Sequence, residues 1–399
     1  MNKQKDQKIG MIVQNYYAID SRVRRQAEAL VDEGYSVDVI ALNDNNKKLV
    51  YQLNKVKIYQ VPLRKKRGKG KRYLFEYIVF FLFGTIFQTI MFFKKKYRII
   101  HVHNMPDILV FTAIIPKLFG AKVILDIHDP FPELFATKFN SKQKGLHIRL
   151  LNFEEKVSIK FSNYVITTTD LIRSLLVQKG VRANKICTIL NAPDNHLFDR
   201  SRLKHNFSSD QNKNFTLLFA GLIAERNGLG NVVNSLPLLI DKIPNIKYRI
   251  IGEGDYIEDL SNLVKSLRVQ NFVEFQSRKG LEEIPYEILK ADAVVWIPLR
   301  NEFIDIVLSV KVLEALAMGK PVITVKTRCQ EHYLENEKII FTKSSDKKQI
   351  ADAILKLFEN YDKFKPTDSD TIRFRAKFNW DVEKIKYYQL ISKINEKVN

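Results

Sequence analysis

The chain has 399 residues, 45% hydrophobic and 27% charged, which excludes a disordered or collagen-like polymer and leaves room for two cores. Its two cysteines, Cys187 and Cys329, show no metal-ligand spacing and its seven histidines are scattered without a zinc pattern, so we expect a reducing compartment and no structural metal. A net charge of +21 requires an anionic partner, and nucleic acid, anionic lipid and phosphorylated substrate are the classes it admits.

Residues 1–13 lack the apolar centre of a signal peptide and run directly into a strand over 8–14. After the polar loop NYYAID, Val23, Ala27, Leu30 and Val31 recur at helical spacing over 21–33, and Gly34 stops the helix. Strands are predicted at 36–42 and 56–61. The run RKKRGKGKR (64–72) then places seven basic residues in nine, followed by the apolar, aromatic-rich segment 73–93 and by Lys94, Lys95, Lys96 and Arg98. An apolar helix between basic clusters suits an anionic membrane surface. Three placements are open for it: lying in the membrane interface, which we favour, buried as a core helix, or spanning the bilayer. Glu76, Gln88, the basic flanks and the strands on either side argue against a span. No RNP, zinc-finger or helix-turn-helix pattern accompanies the charge, so nucleic acid is the weakest partner class.

Further strands at 99–103, 122–127, 164–168 and 186–190, with a helix over 108–119, imply a parallel sheet covered on both faces. Residues 200–214 are polar and aperiodic and read as a linker. A second alternating unit follows, with strands at 215–220, 247–251, 272–275, 293–297, 322–325 and 339–341. Its helices fall over 229–242 and 346–358, and a last helix starts near Asp381. The expected fold is α/β, two Rossmann-like domains facing a central cleft. We expect domains at 1–199 and 215–378, with the helix of 379–399 packing back on the first. Ligands of such sheets bind beyond the carboxyl ends of the strands.

The segment LSVKVLEALAMGKPVI (308–323) reads as a short helix with Ser309 as N-cap, Gly319 at the left-handed stop and Pro321 beyond it. Val312, Leu313, Leu316 and Ala317 form its apolar face, and Lys311 and Glu314 share another. A lysine in the first turn strengthens the anion-attracting field of a helix N-terminus, while a glutamate one turn on suits ribose hydroxyls. The alternative is an ordinary surface ion pair. Between a strand and a helix, GLIAERNG (221–228) offers glycines that let a ligand approach the backbone, and Arg226 for phosphate oxygens; a solvent-facing turn is the alternative. Gly252-Glu253-Gly254 follows another strand but lacks the third glycine of a dinucleotide fingerprint. In the first domain His101 and His103 end a strand, and Asp126, His128, Asp129 and Glu133 follow a neighbouring one. His128 could bond a sugar hydroxyl, with the carboxylates orienting it or an acceptor hydroxyl. No nucleophile elbow or Ser-His-Asp order is present.

Together these pieces resemble the GT-B fold glycosyltransferases of family 4 over essentially the whole chain. The likeness lies in DSRVRRQAEAL (20–30), HVHN (101–104), DIHDPFPE (126–133) and NAPDNHLF (191–198). It continues in AGLIAERNG (220–228), IIGEGDYIEDL (250–260), KADAVVWIP (290–298) and VKVLEALAMGKPVI (310–323). The resemblance implies transfer of a hexosyl group from a nucleotide-diphosphate donor, with retention and with no metal or cofactor. A UDP-sugar is favoured and a GDP-sugar is the rival. By that likeness Arg226 and Lys311 neutralise the departing diphosphate, Glu314 binds the ribose, and Gly221, Gly252 and Gly254 line the donor. His128 would contact the donor sugar. The first domain would hold the acceptor, with Asp20, His103, Asp126, Asp129 and Glu133 as candidates. The basic-aromatic helix would bring a cytoplasmic, peripherally membrane-bound enzyme to a lipid-linked or glycan acceptor in surface polysaccharide or glycolipid synthesis.

One departure stands out. Many members carry two glutamates eight apart, but Ile306 stands eight before Glu314, with Asp305 beside it as the candidate carboxylate. Ser309 and Val310 stand where some relatives have Pro-Thr. A non-catalytic partner of a glycan assembly complex is therefore the second reading, and nucleic-acid binding the third.

Overall fold

A computed structural model describes residues 7–44, 48–63, 71–138, 145–203 and 214–396. The chain divides into two compact units, Met1–Leu190 with Glu383–Asn399, and Asn191–Val382. Each is built on its own sheet.

The first unit holds β1 (Lys8–Val13), β2 (Ser36–Leu42), β3 (Val50–Leu53), β4 (Val56–Val61), β5 (Ile99–His103), β6 (Lys122–Ile127), β7 (Tyr164–Thr167) and β8 (Ile186–Thr188). Their order is β3-β4-β2-β1-β5-β6-β7-β8. All pairings are parallel except β3 with β4. The sequence reading missed β3, a four-residue edge strand with no buried residue and hence no hydrophobic signal. The central strands β1 and β5 are buried almost throughout, as a parallel sheet covered on both faces requires.

Helix Lys71–Lys95 lies on this sheet by one side only. Phe80, Gly84, Gln88, Met91 and Phe92 are buried, and Gly84 comes so close to Ile12 that a Cβ there would sit 2.9 Å from its Cδ1. Phe87 packs on Tyr59 with ring centroids 5.4 Å apart. Its Phe75–Lys95 part is long and apolar enough to cross a membrane, yet about a third of it is buried within the protein. The basic run of 64–70 lies outside the described residues. The helix expected over 108–119 is a 3-10 stretch, Asp107–Ala113, followed by one α-turn, Ile114–Leu118. Pro116 has no N–H to give to Thr112, so an α ladder cannot run unbroken through this segment.

The second unit holds β9 (Phe215–Ala220), β10 (Ile246–Ile251), β11 (Val273–Gln276), β12 (Ala293–Trp296), β13 (Val322–Val325) and β14 (Ile339–Thr342), in the order β11-β10-β9-β12-β13-β14 and all parallel. The helix predicted over 229–242 ends as an α-helix at Ser235, because Pro237 breaks the ladder and leaves a 3-10 turn. Of the expected linker, Arg200–Leu203 is helical and 204–213 lie outside the described residues.

The last helix, Trp380–Glu396, starts in the second unit, where the Trp380 N–H donates to the Pro193 carbonyl at 2.8 Å. From Glu383 it belongs to the first. Tyr388 donates to the Ala29 carbonyl at 2.9 Å, Glu383 accepts from the Leu190 N–H at 2.9 Å, and Tyr387, Ile391 and Ile394 are buried.

Candidate functional site

In the second unit the loops after β9, β10 and β12 interlock through backbone. A Cβ on Gly252 would fall 1.8 Å from the Gly221 carbonyl oxygen, and one on Gly254 would fall 1.7 Å from that of Ile223. Only glycine permits this approach. The Ile223 N–H donates to the Glu253 carbonyl and the Leu299 N–H to that of Arg226, at 2.9 and 3.0 Å. The Trp296 indole donates to the Asn227 side chain at 3.2 Å. The first loop is thereby fixed from two sides.

Lys311 reaches into this junction from the second position of helix Val310–Ala317. Its Cε lies where a Gly221 Cβ would be, 2.3 Å away, and its ammonium sits 5.5 Å from the Phe219 ring centroid. Val312, Leu313, Leu316 and Ala317 are buried and anchor the helix, and Gly319 takes the left-handed stop at φ 67°. Ser309 occupies the N-cap position without a side-chain capping bond, which corrects the expected role of its hydroxyl. Glu314 is half-buried, one turn after Lys311. Arg226 is half-buried on the 3-10 turn Glu225–Asn227 and has no carboxylate partner among the described residues. Asp305 differs from these. It lies 3.1 Å from Arg300 Nε and 3.7 Å from Arg328 Nε, so its charge is already matched.

In the first unit, sheet register assembles the site. Val13 pairs with His103, and His103 with Asp126. Residues two apart on a strand share a face, which adds His101 and, just past β6, His128. The Asp126 carboxylate is fully buried and accepts the Gln26 amide at 2.9 Å. One oxygen lies 3.4 Å from His101 Nε2 and 3.5 Å from His103 Nδ1, and the other 3.5 Å from His128 Nδ1. Burial pushes the Asp126 carboxyl up, but the surrounding imidazoles outweigh it and hold the group well below the usual range. Burial, reinforced by His103, lowers His101 to about 4, and burial lowers His128 to about 3. At neutral pH the site thus sets one carboxylate beside two uncharged imidazoles, His101 and His128. Asp20 caps helix Ser21–Asp32; burial raises its carboxyl, but Arg22 and the Asn15 amide bring it to about 2. Arg22 also lies 3.9 Å from Asp129. Glu133 is drawn elsewhere, to Lys179 at 2.9 Å, which also binds Glu155.

Residues 18–192 match the family described as glycosyl transferase 4-like domain, and residues 201–371 match that described as glycosyl transferases group 1. The chain belongs to the group 1 glycosyltransferases. An uncharacterized glycosyltransferase of Haemophilus influenzae is 24% identical to it over 320 residues, 79% of this chain and 80% of that protein. Among solved structures, sucrose-phosphate synthase from Thermosynechococcus elongatus superposes with a TM-score of 0.79 at 18% identity, covering 98% of this chain and all of that one (100%). Anabaena HepE, solved with UDP and glucose, gives 0.71 at 16% identity and covers 97% and 99%. The fold of this glycosyltransferase is GT-B.

Lys311 and the glycines of the second unit come together in the glycosyltransferase, as do Asp20, His103, Asp126, His128 and Asp129 in the first. Several partners carried no sequence signal of their own. The Tyr387 hydroxyl, from the last helix, lies 2.8 Å from His101 Nδ1. Asn104 accepts from the His128 N–H at 3.0 Å and donates to the Asp129 carbonyl at 2.8 Å; its place in HVHN was the available clue. Among the described residues, donor atoms of His101, His103 and Asp126 lie within 4.8 Å of one another and could converge on a metal ion, which the reading of scattered histidines did not foresee.

Proposed function

We propose that this glycosyltransferase moves a hexosyl group from a nucleotide-diphosphate donor, a UDP-sugar in preference to a GDP-sugar, to a lipid-linked or glycan acceptor, with retention and without a metal. One observation carries the reading: an ammonium group held against a glycine-only backbone junction beyond the carboxyl ends of β9 and β10. That is the place and the charge a departing diphosphate needs. The bond from the anomeric carbon to the diphosphate oxygen breaks as the acceptor oxygen bonds to the same face of that carbon. The acceptor proton passes to the leaving phosphate oxygen. Arg226 and Lys311 stabilise the charge developing there, Glu314 takes the ribose, and uncharged His128 offers hydrogen bonds to sugar hydroxyls. Solved HepE, with UDP and glucose, supports a nucleotide-sugar donor. The apolar outer side of helix Lys71–Lys95 and the basic residues after it support a cytoplasmic enzyme resting on an anionic membrane, in surface polysaccharide or glycolipid synthesis.

The test is mass-spectrometric measurement of which nucleotide sugar is consumed in the presence of membrane lipid extract. Lys311→Ala and Arg226→Ala should each lower turnover about 10²–10³-fold while leaving thermal stability nearly unchanged. Wild-type turnover in both would overturn the assignment. A second reading is favoured by Ile306 and by Asp305 being matched to two arginines: a glycosyltransferase-like partner without activity. Calorimetry separates the two, because a silent partner binds neither sugar nucleotide nor free nucleoside diphosphate.

A further inference from the structure

Three neighbouring elements of the first unit leave apolar side chains bare on their outer faces. Helix Lys71–Lys95 presents Ile86, Ile90 and Phe93, and Ile86 is 62% exposed. Segment 107–118 lies beside it, tied by the Thr112 hydroxyl donating to Gln88 at 2.8 Å, and Phe119 at its end packs edge-on against Phe93 with centroids 5.2 Å apart. On the other side of that segment runs helix Leu146–Phe161, tied by Glu154 accepting the Ile108 N–H at 2.6 Å. This helix had no part in the functional reading above. Its Leu146, Leu150 and Phe153 fall at i, i+4 and i+7 and are all exposed, Phe153 by 66%. Bare apolar side chains clustered on neighbouring elements mark an interaction surface.

Charge identifies the occupant. Across these elements Glu76, Asp107 and Glu155 are buried and Glu154 is turned onto a backbone N–H. Among the described residues here, the exposed ionised side chains are all basic: Lys94, Lys96, Arg149, Lys156 and Lys160. A protein partner would need acids to match them; an anionic lipid leaflet supplies apolar depth and negative headgroups together.

We propose that helix Leu146–Phe161 is a second lipid-contacting helix, inserting Leu150 and Phe153 into an anionic leaflet beside Ile86, Ile90 and Phe93. The proposal rests on the membrane reading of helix Lys71–Lys95. It makes the contact a broad face built from three elements, which fixes the orientation of the first unit on the bilayer where a single helix could roll.

The experiment is sedimentation of the full chain with vesicles of phosphatidylcholine alone or mixed with phosphatidylglycerol. The wild type should bind the mixed vesicles, less so as salt rises. Leu150→Glu with Phe153→Glu should lower partitioning at least about tenfold, as should Ile86→Glu with Ile90→Glu. Ile372→Glu, on an exposed position of the second unit, should change nothing. Phe153→Trp gives a reading without an added charge: the emission of the introduced indole should shift to the blue on mixed vesicles and be quenched by brominated lipid. If the wild type ignores anionic vesicles, the membrane reading fails as a whole. If only the Ile86/Ile90 variant loses binding and the emission of Phe153→Trp stays unshifted, the second helix is refuted alone. If sedimentation velocity shows a dimer that the Leu150/Phe153 variant dissociates, with vesicle binding unchanged, the face belongs to a second copy and the proposal falls.

Discussion

Lys311 and Gly221 act as a pair, and the pair can be tested through its silent member. A methyl group at residue 221 would meet Lys311 Cε at 2.3 Å, the flexible part of a side chain that can swing aside with its ammonium, while φ near 154° adds backbone strain for any residue but glycine. We expect Gly221→Ala to lower kcat/KM at least about tenfold and to destabilise the fold by roughly 1–3 kcal/mol, less than Gly252→Ala. A methyl at residue 252 meets the Gly221 carbonyl at 1.8 Å, which is backbone and cannot swing aside. Gly252→Ala should therefore cost several kcal/mol, roughly the upper range for point substitutions, and show as a loss of soluble protein or a large drop in Tm. Wild-type kcat/KM in Gly221→Ala would detach Lys311 from the chemistry.

Helix Lys71–Lys95 shows how an element can be apolar on both sides for different reasons. Its inner side packs on the sheet and its outer side is bare. Inside, Gln88 is almost fully buried, accepts one bond from Thr112 and leaves its own amide nitrogen without a partner. Thr112 also reaches the Leu109 carbonyl, so it keeps a bond when Gln88 is removed. Gln88→Leu should then be neutral or stabilising in denaturant unfolding. Thr112→Val leaves both ends of the Gln88 amide unsatisfied and should cost about 1–3 kcal/mol. The reverse ranking would show that the amide finds a partner the fold does not reveal.

At the scale of the whole molecule, burial of His101 and His128 beside Asp126 makes stability sensitive to acid. The unfolded chain protonates His101 near its ordinary 6.5, whereas the folded protein does so only near 4. Between those values the unfolded state binds more protons, so stability falls as pH drops through this window and levels off below it. The slope is about 1.4 kcal/mol per pH unit for each such histidine. His128, lowered further, acts in the same direction and to lower pH. Asp126 stays ionised in this window and affects stability only below the usual carboxylate range. Glu155, which burial raises to about 7, and Asp107, also raised by burial, oppose this slope over the same range. The test is therefore a difference: in denaturant unfolding between pH 7 and 4, His101→Asn should lose less stability on acidification than the wild type. An equal slope in the variant would place the acid sensitivity elsewhere.

Alternating apolar runs and Gly or Pro stops made the parallel strands and most helices legible, because burial on both faces of a sheet leaves a local hydrophobic signal. The local placements of Lys311 and Glu314 on one short helix, of Arg226 in the turn after β9 and of His128 just after β6 were legible too, since apolar spacing and Gly or Pro stops mark those elements locally. What depended on distance in sequence was not. Tyr387 meets His101 across 286 residues, and Gln26 meets Asp126 across 100, with neither marked by its neighbours. Nor could the sequence tell which side of helix Lys71–Lys95 docks, because both sides are apolar and only packing against Ile12 and Tyr59 chooses between them. Composition and periodicity fixed which segments could be buried; the three-dimensional arrangement alone decided which surfaces stay bare and which polar atoms share one carboxylate.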